Sequence, residues 1–254
     1  MNKPNDNISE NLVVRGRHEV LETLKSGKTI DSLIISKGSY ADIINEIIQT
    51  ARAKKIKIQF LESEAFRKKF GGNSQGVIAQ TGSFSYADLN EIIEKTNATD
   101  NAIIIAVNNV EDPRNLGAIT RTAEAGGAAA ILIPTHRAAG MTEWAVRTAQ
   151  GASDYIPIAR VTNIGTTLES LKAQGFWIIG LDEKSQKKYW EVKYSGKLVL
   201  VAGGEDAGLG RRVASVCDET VAIPMSGHIR SLNVSVSVGI VFFEMLRQSN
   251  YVSA

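Results

Sequence analysis

Cysteine is almost missing from this chain. Cys217 is the only one in 254 residues, which excludes an intrachain disulfide framework and any metal centre built on cysteine pairs. It reads as a small core residue rather than a nucleophile. Histidine is scarce too: His18, His136 and His228 belong to no His/Glu/Asp cluster with metal-ligand spacing. Long apolar runs are absent, and nothing approaches the ~18–20 residues that cross a bilayer. Residues Met1 to Asn11 lack both an apolar signal core and an Arg-rich amphipathic transit pattern, so a soluble cytoplasmic protein without a membrane partner is expected. Charge of one sign does not dominate either. A net charge of +2 excludes the global basic field of a histone-like nucleic-acid binder.

The common nucleotide and hydrolase signatures are missing as well. Gly203-Gly204-Glu205-Asp206-Ala207-Gly208 runs into Leu209 rather than the Lys-Ser or Lys-Thr of a phosphate-binding loop. Asn108 to Pro113 follows a strand with no glycine, which removes the dinucleotide fingerprint and with it a generic dehydrogenase. No nucleophile elbow supports a hydrolase triad.

What is present is periodic apolar pattern. In the first 80 residues, helix and strand signals alternate: a helix from Gly16 to Lys25, a strand at Leu33–Ile35, and a helix carrying Ile43, Ile44, Ile47, Ile48 and Ala51. A strand with Ile56, Ile58 and Phe60 follows, then a helix from Ser63 to Phe70 capped by Ser63, a glycine-rich break and a strand at Val77–Ala79. Residues 1–82 are therefore expected as a small α/β domain. Its two basic runs, Arg52/Lys54/Lys55/Lys57 and Arg67/Lys68/Lys69, suit either solvated helix faces or a phosphate-contacting surface.

Residues 83–100 are polar, with one short helix and a Ser85/Asp88 pair at capping-box spacing, and are expected as a linker. From 101 to 254 the pattern becomes doubly wound α/β. Continuous apolar runs at Ile103–Val107, Ala130–Ile133, Trp177–Ile179 and Leu198–Val201 suit strands buried on both faces of a parallel sheet. Helices are expected at Leu116–Ala125, Thr142–Gly151 and Ile164–Gln174, the last capped by Asn163 and ended by Gly175. Ligands of such sheets bind at the carboxyl ends of the strands.

Three strand-following loops carry candidate chemistry. In Asn108–Ala123, Asn115 is placed as an N-cap, Arg121 follows within two turns, and Gly117 and Ala118 permit close approach to the helix. In the second loop, Gly203-Gly204-Glu205 permits close backbone approach to a ligand. The third runs from Ile223 to Asn233, where the oxygens of Ser231 and Asn233 suit either the orphan N–H groups of the next helix or a ligand. That helix carries Val234, Val238, Val241, Phe242 and Met245 on one face, fit for core or for a dimer surface. Three such loops point to one composite pocket.

These residues resemble the motifs of SpoU/TrmH-type RNA 2′-O-methyltransferases of the SPOUT superfamily. The likeness rests on Asn115 with Arg121-Thr122-Ala123, on Gly203 to Leu209, and on Ile223-Pro224-Met225 with Ser231-Leu232-Asn233-Val234-Ser235. Gly16-Arg17-His18-Glu19-Val20 and Gln75-Gly76-Val77 are similar to that family's L30e-like RNA-binding extension, in enzymes that methylate a guanosine of 23S rRNA. The family often carries His where this chain has Ser74, so any RNA contact made there would be altered. The resemblance implies an α/β-knot domain whose C-terminal segment is threaded into a trefoil knot, against the general scarcity of knots, and a homodimer acting on RNA. It implies S-adenosylmethionine held by Gly203, Ile223 and Leu232, and an active site of Asn115, Arg121, Glu205, Ser231 and Asn233. A guanidinium is a poor base at neutral pH, so Arg121 is expected to clamp a phosphate and stabilise developing charge, and the base stays open. Alternatives are a tRNA or another rRNA site as substrate, or a non-catalytic RNA-binding assembly factor on the same fold.

Overall fold

The computed structural model describes residues 11–26, 30–39, 42–71, 74–204, 208–228 and 231–249. The chain divides into two compact units, up to Phe84 and from Ser85 onward.

The first unit runs β1 (Asn11–Arg15), α1 (Arg17–Lys25), β2 (Ile30–Ser36), α2 (Asp42–Ala53), β3 (Lys57–Leu61), α3 (Ser63–Phe70) and β4 (Val77–Ser83). Its sheet has the order β1-β4-β2-β3, with β2 and β3 parallel and the β1–β4 and β2–β4 pairs antiparallel. Successive residues of a strand face opposite ways, and β2 shows it. Leu33 and Ile35 join Val20, Leu24, Ile44 and Ile47 on one face, whereas Ile34 packs with Phe66 and Ile78 on the other.

Three details differ from the sequence expectation. Strand β1 was not expected: its apolar run, Leu12-Val13-Val14, is only three residues long, and it takes its place by pairing with β4. Ser63 is the first helical residue of α3 rather than its cap, which is Glu62; the Ser63 hydroxyl donates to the Lys37 carbonyl instead. Ser74 is fully buried and donates to the carbonyls of Phe70 at 3.2 Å and Gly71 at 3.0 Å. It therefore closes the end of α3 rather than offering its hydroxyl outward.

The second unit begins inside the stretch expected as a linker. Helix α4 (Leu89–Asn97) is capped by Asp88, whose side chain accepts from the Asn90 N–H at 2.7 Å. Ser85 is not the cap. Ile92 of α4 is buried against Ile104, Leu168 and Val199, so this helix is part of the second unit's core. An interior Ile was the signal that the polar composition masked.

The remaining elements are β5 (Ala102–Asn108), α5 (Pro113–Ala125), β6 (Ala130–Pro134), α6 (Glu143–Ala149), β7 (Ile158–Val161), α7 (Ile164–Ala173), β8 (Trp177–Leu181), β9 (Lys197–Gly203), α8 (Arg211–Val216), β10 (Glu219–Val221) and α9 (Val234–Gln248). All six strands are parallel, in the order β10-β8-β9-β5-β6-β7. The expected apolar runs are the four central strands. The short edge strands β7 and β10 were too brief to read. Asn163 caps α7 through its side-chain oxygen, 3.1 Å from the Thr166 N–H, and Gly175 follows with φ +87°.

Strand order reverses at β5. The chain winds outward through β6 and β7, then returns to lay β9 on the other side of β5, with Asn108 and Gly203 in register at their carboxyl ends. This is the switch point at which open α/β sheets bind ligands.

Candidate active site

A cavity of about 430 Å³ opens at the carboxyl ends of β8, β9 and β10, within the size range of small-ligand sites. Its lining includes Gly203, Leu209, Ile223, Ser231 and Leu232. The three residues expected to hold a cofactor therefore share one cavity. Leu232, an apolar side chain, is 36% exposed beside it. The loop after β8 also lines the cavity with Leu181, Asp182, Glu183 and Lys184, as does Arg211 at the start of α8. Sequence reasoning missed these residues. The signal was available, since Leu181 ends an apolar strand of a parallel sheet and every such end is a candidate.

The glycines of the second loop have a more specific reason than expected. The Gly208 N–H donates to the Gly204 carbonyl at 2.9 Å, so the loop turns straight back on itself. A methyl group at Gly203 would fall 2.0 Å from the Gly208 carbonyl carbon, and one at Gly204 would fall 2.1 Å from the Asn109 oxygen. The close approach is of chain to chain. The Asn108 amide holds the returning strand by donating to the Leu209 carbonyl at 3.0 Å. Glu205, expected in the active site, lies outside the described residues.

The helix after β5 opens differently from the expectation. Asp112, not Asn115, is the N-cap of α5: its carboxylate accepts from the Arg114 N–H at 2.8 Å, and Pro113 takes the first turn, where no N–H is needed. The Arg114 guanidinium bonded to Asp112 holds that carboxyl below the usual carboxylate range. Asn115 is consequently the third residue of the helix rather than its cap, and its side-chain oxygen accepts from the Asn233 side-chain N–H at 2.9 Å.

Asn233 acts at both ends of its amide. Its oxygen caps α9, accepting from the Ser235 N–H at 2.9 Å and the Ser235 hydroxyl at 2.6 Å. Its nitrogen reaches Asn115. The first and third loops, 118 residues apart at these two asparagines, are thus tied together directly beside Leu232 and Val234 of the cavity wall.

Gly117 answers a second expectation. What approaches it is α6: a methyl group there would fall 2.4 Å from the Ala145 carbonyl oxygen and 2.6 Å from Thr148 Cβ. Arg121, one turn on, is exposed and does not border the cavity of its own chain. Cys217 is partly buried and its thiol contacts the Val213 carbonyl at 3.3 Å. Burial, reinforced by Asp218, pushes its pKa up to about 11, which keeps it protonated and unreactive. Among the described residues no group of acidic, His or Cys side chains is arranged to hold a metal.

The second unit is thus a parallel α/β sheet with a small-ligand-sized cavity at the carboxyl ends of its strands, beside a close-packed glycine loop and an asparagine bridge, and it is preceded by a separate α/β unit. Comparison with known proteins makes the class specific. Residues 102–243 match the SpoU rRNA Methylase family, and residues 13–87 match RNA 2′-O ribose methyltransferase substrate binding domains. The chain belongs to the SpoU methylase family. It is 35% identical over 244 residues to a protein of Staphylococcus saprophyticus assigned to the TrmH family of tRNA/rRNA methyltransferases, covering 96% of this chain and 98% of that one. The Bacillus subtilis protein YacO, of the same assignment, is 35% identical over 238 residues, covering 93% and 96%. Solved structures share the fold. The SpoU methyltransferase AviRb of Streptomyces viridochromogenes aligns with TM-score 0.70 at 22% identity, over 98% of this chain and 94% of that one. An AdoMet-bound rRNA methyltransferase of Sinorhizobium meliloti aligns with TM-score 0.71 at 24% identity, over 98% and 90%.

Proposed function

We propose that this protein transfers a methyl group from S-adenosylmethionine to the ribose 2′-hydroxyl of a nucleotide in RNA, with a guanosine of 23S rRNA as the target. The observation that carries the proposal is the Asn115–Asn233 hydrogen bond beside the cavity wall, which joins two family motifs into one site. Family membership and the AdoMet held by AviRb and by the Sinorhizobium enzyme support the cofactor. The fit is chemical as well. The cavity offers apolar Ile223 and Leu232 for an adenosine, backbone groups around Gly203, and Asp182 and Glu183 among its lining residues.

When bound, S-adenosylmethionine supplies an electrophilic methyl group on a sulfonium. The protein must then align the attacking oxygen and accept charge. Asn233, bonded to Asn115, stands between Leu232 and Val234 of the cavity lining, and Ser231 adds a hydroxyl to that lining. Arg121 clamps the phosphate beside the target ribose and stabilises the developing alkoxide. Glu205 completes the set, and the proton acceptor is left unassigned. Because Arg121 does not border its own chain's cavity, the site is completed by a second copy of the chain in a homodimer. Exposed Val236 and Phe243, 49% and 50% accessible and two turns apart on α9, favour that interface. The trefoil knot, formed by threading the segment through Asn233 past the Gly204 turn, belongs to the same proposal, as does a cytoplasmic location. Among the described residues no helix is long and apolar enough to cross a membrane.

The test is label transfer from tritiated S-adenosylmethionine to unmodified transcripts of 23S rRNA and of tRNA. Label in 23S rRNA supports the proposal, and label only in tRNA moves the substrate to the alternative, which the relatives' tRNA/rRNA assignment keeps in view. No label in either RNA, together with no S-adenosylmethionine binding by calorimetry, would favour the non-catalytic assembly factor.

A further inference from the structure

Two large aromatic side chains of the second unit stand in solvent and are used by nothing described so far: Trp144, 59% exposed on α6, and Tyr155, 80% exposed beyond it. Burying an indole is among the larger favourable terms available to a fold, so an indole left outside has another use or none.

The packing of α6 on α5 locates Trp144 relative to Arg121. Gly117 of α5 lies against Ala145 and Thr148 of α6. Three residues further along α5, the Thr120 hydroxyl is 4.0 Å from the Met141 sulfur, just before α6. Advancing along α5 therefore means moving back along α6. Arg121 follows Thr120 and sits four residues after Gly117, on the same side of the helix, so it is level with the Met141–Trp144 end of α6. Arg147 lies one turn after Trp144 on the same helix. Arg121 and Arg147 are both exposed, and neither makes an ion pair among the described residues, in contrast to Arg114 and Arg247. The loop that leads into α6 is fixed to the active-site loop, since the Ala139 N–H donates to the Val110 carbonyl at 2.7 Å.

An exposed indole on the same helical layer as two exposed guanidinium groups that form no ion pair among the described residues suits single-stranded nucleic acid: base on aromatic face, phosphates on arginine. We propose that Trp144 is a stacking platform for a base next to the methylated ribose, with Arg121 and Arg147 taking the flanking phosphates. Trp144 is thus a positioning residue for the RNA, and this inference rests on RNA being the substrate. The stack fixes where the nucleotide lies while Arg121 fixes its backbone, which sets the 2′-hydroxyl in register with the cavity.

The experiment compares the full-length wild type with Trp144→Ala and Trp144→Phe on the transcript that the wild type methylates best. Trp144→Ala is expected to raise KM for RNA about tenfold, the scale of one lost base–aromatic stack. Its kcat, thermal midpoint and S-adenosylmethionine affinity stay unchanged, and Trp144→Phe restores most of the loss. A KM for Trp144→Ala within about twofold of wild type overturns the inference, as does conversion of that variant from dimer to monomer, which would assign Trp144 to an interface between copies. A second readout is independent of catalysis. The chain has three tryptophans, so Trp177→Phe/Trp190→Phe leaves Trp144 as the only indole, and hexauridylate is expected to quench it. Unchanged fluorescence at saturating oligonucleotide overturns the stack. If the wild type transfers no methyl to any transcript yet quenching occurs, the proposed function fails while the RNA platform stands.

Discussion

Helices α5 and α9 both open with an asparagine in a family motif, yet the two asparagines do different work. Asn233 is a true N-cap, its oxygen committed to Ser235. Asn115 is not, because Asp112 and Pro113 have already closed the start of α5. An amide has a donor end and an acceptor end. Capping uses only the acceptor of Asn233, so its N–H remains to reach Asn115. The difference shows how one residue serves stability and site construction together, and how a separate cap releases its neighbour for chemistry alone.

The largest effect is expected at neither asparagine but at Arg121, on the same helix as Asn115. Arg121→Ala should lower kcat at least about a hundredfold, the usual loss on removing one charge-stabilising group. S-adenosylmethionine affinity, measured by calorimetry, stays within about twofold, since Arg121 does not line the cavity of its own chain.

Replacing Asn233 sharpens the comparison. Asn233→Ala should lose both functions, slowing transfer and lowering stability by about 1 kcal/mol as a lost cap does. Asn233→Asp keeps the capping oxygen and removes the N–H donor to Asn115. It should melt near the wild type while transferring as poorly as Asn233→Ala; parallel melting curves and turnover separate the two. Asn115→Ala is expected to match Asn233→Asp: transfer impaired, stability altered by less than ~0.5 kcal/mol. A large fall in melting temperature for Asn115→Ala would mean that the amide supports the helix after all.

The smallest effect belongs to the cap that does no chemistry. Asp112→Ala should cost about 1 kcal/mol in denaturant unfolding and leave kcat alone. Its pH dependence follows from the lowered carboxyl pKa caused by Arg114. A carboxylate with a depressed folded-state pKa stabilises fully above the unfolded value near ~4, and the contribution disappears as pH falls through the folded value. The deficit of Asp112→Ala should therefore be constant around neutrality and shrink in acid.

The central strands and long helices were legible because each carries a continuous or 3.6-residue apolar pattern, as in Ile103–Val107 and Val234–Met245. The candidate site residues were picked out as motifs, and four of them, Gly203, Ile223, Ser231 and Leu232, line one cavity. Other features were hidden for physical reasons. The capping role of Asp112 was obscured because a Pro at the first helical position moves the boundary three residues earlier than the apolar pattern suggests. The glycines of the second loop looked like ligand clearance, but they answer to Gly208 and Asn109, which no local pattern reveals. Burial of Ser74 depends on the end of α3 returning toward it, again a tertiary fact. Asp182 and Lys184 were overlooked because their loop carries no glycine or motif, only its position after a strand.

The central claim is that this cavity and its asparagine bridge serve methyl transfer to a ribose oxygen. The most direct measurement is mass analysis of nucleosides after reaction of the full-length protein with trideuteromethyl S-adenosylmethionine and RNA. The account expects the label in a single 2′-O-methylated nucleoside, carried on the ribose fragment. Label on the base fragment, or none in RNA from a protein that binds the cofactor, would contradict it.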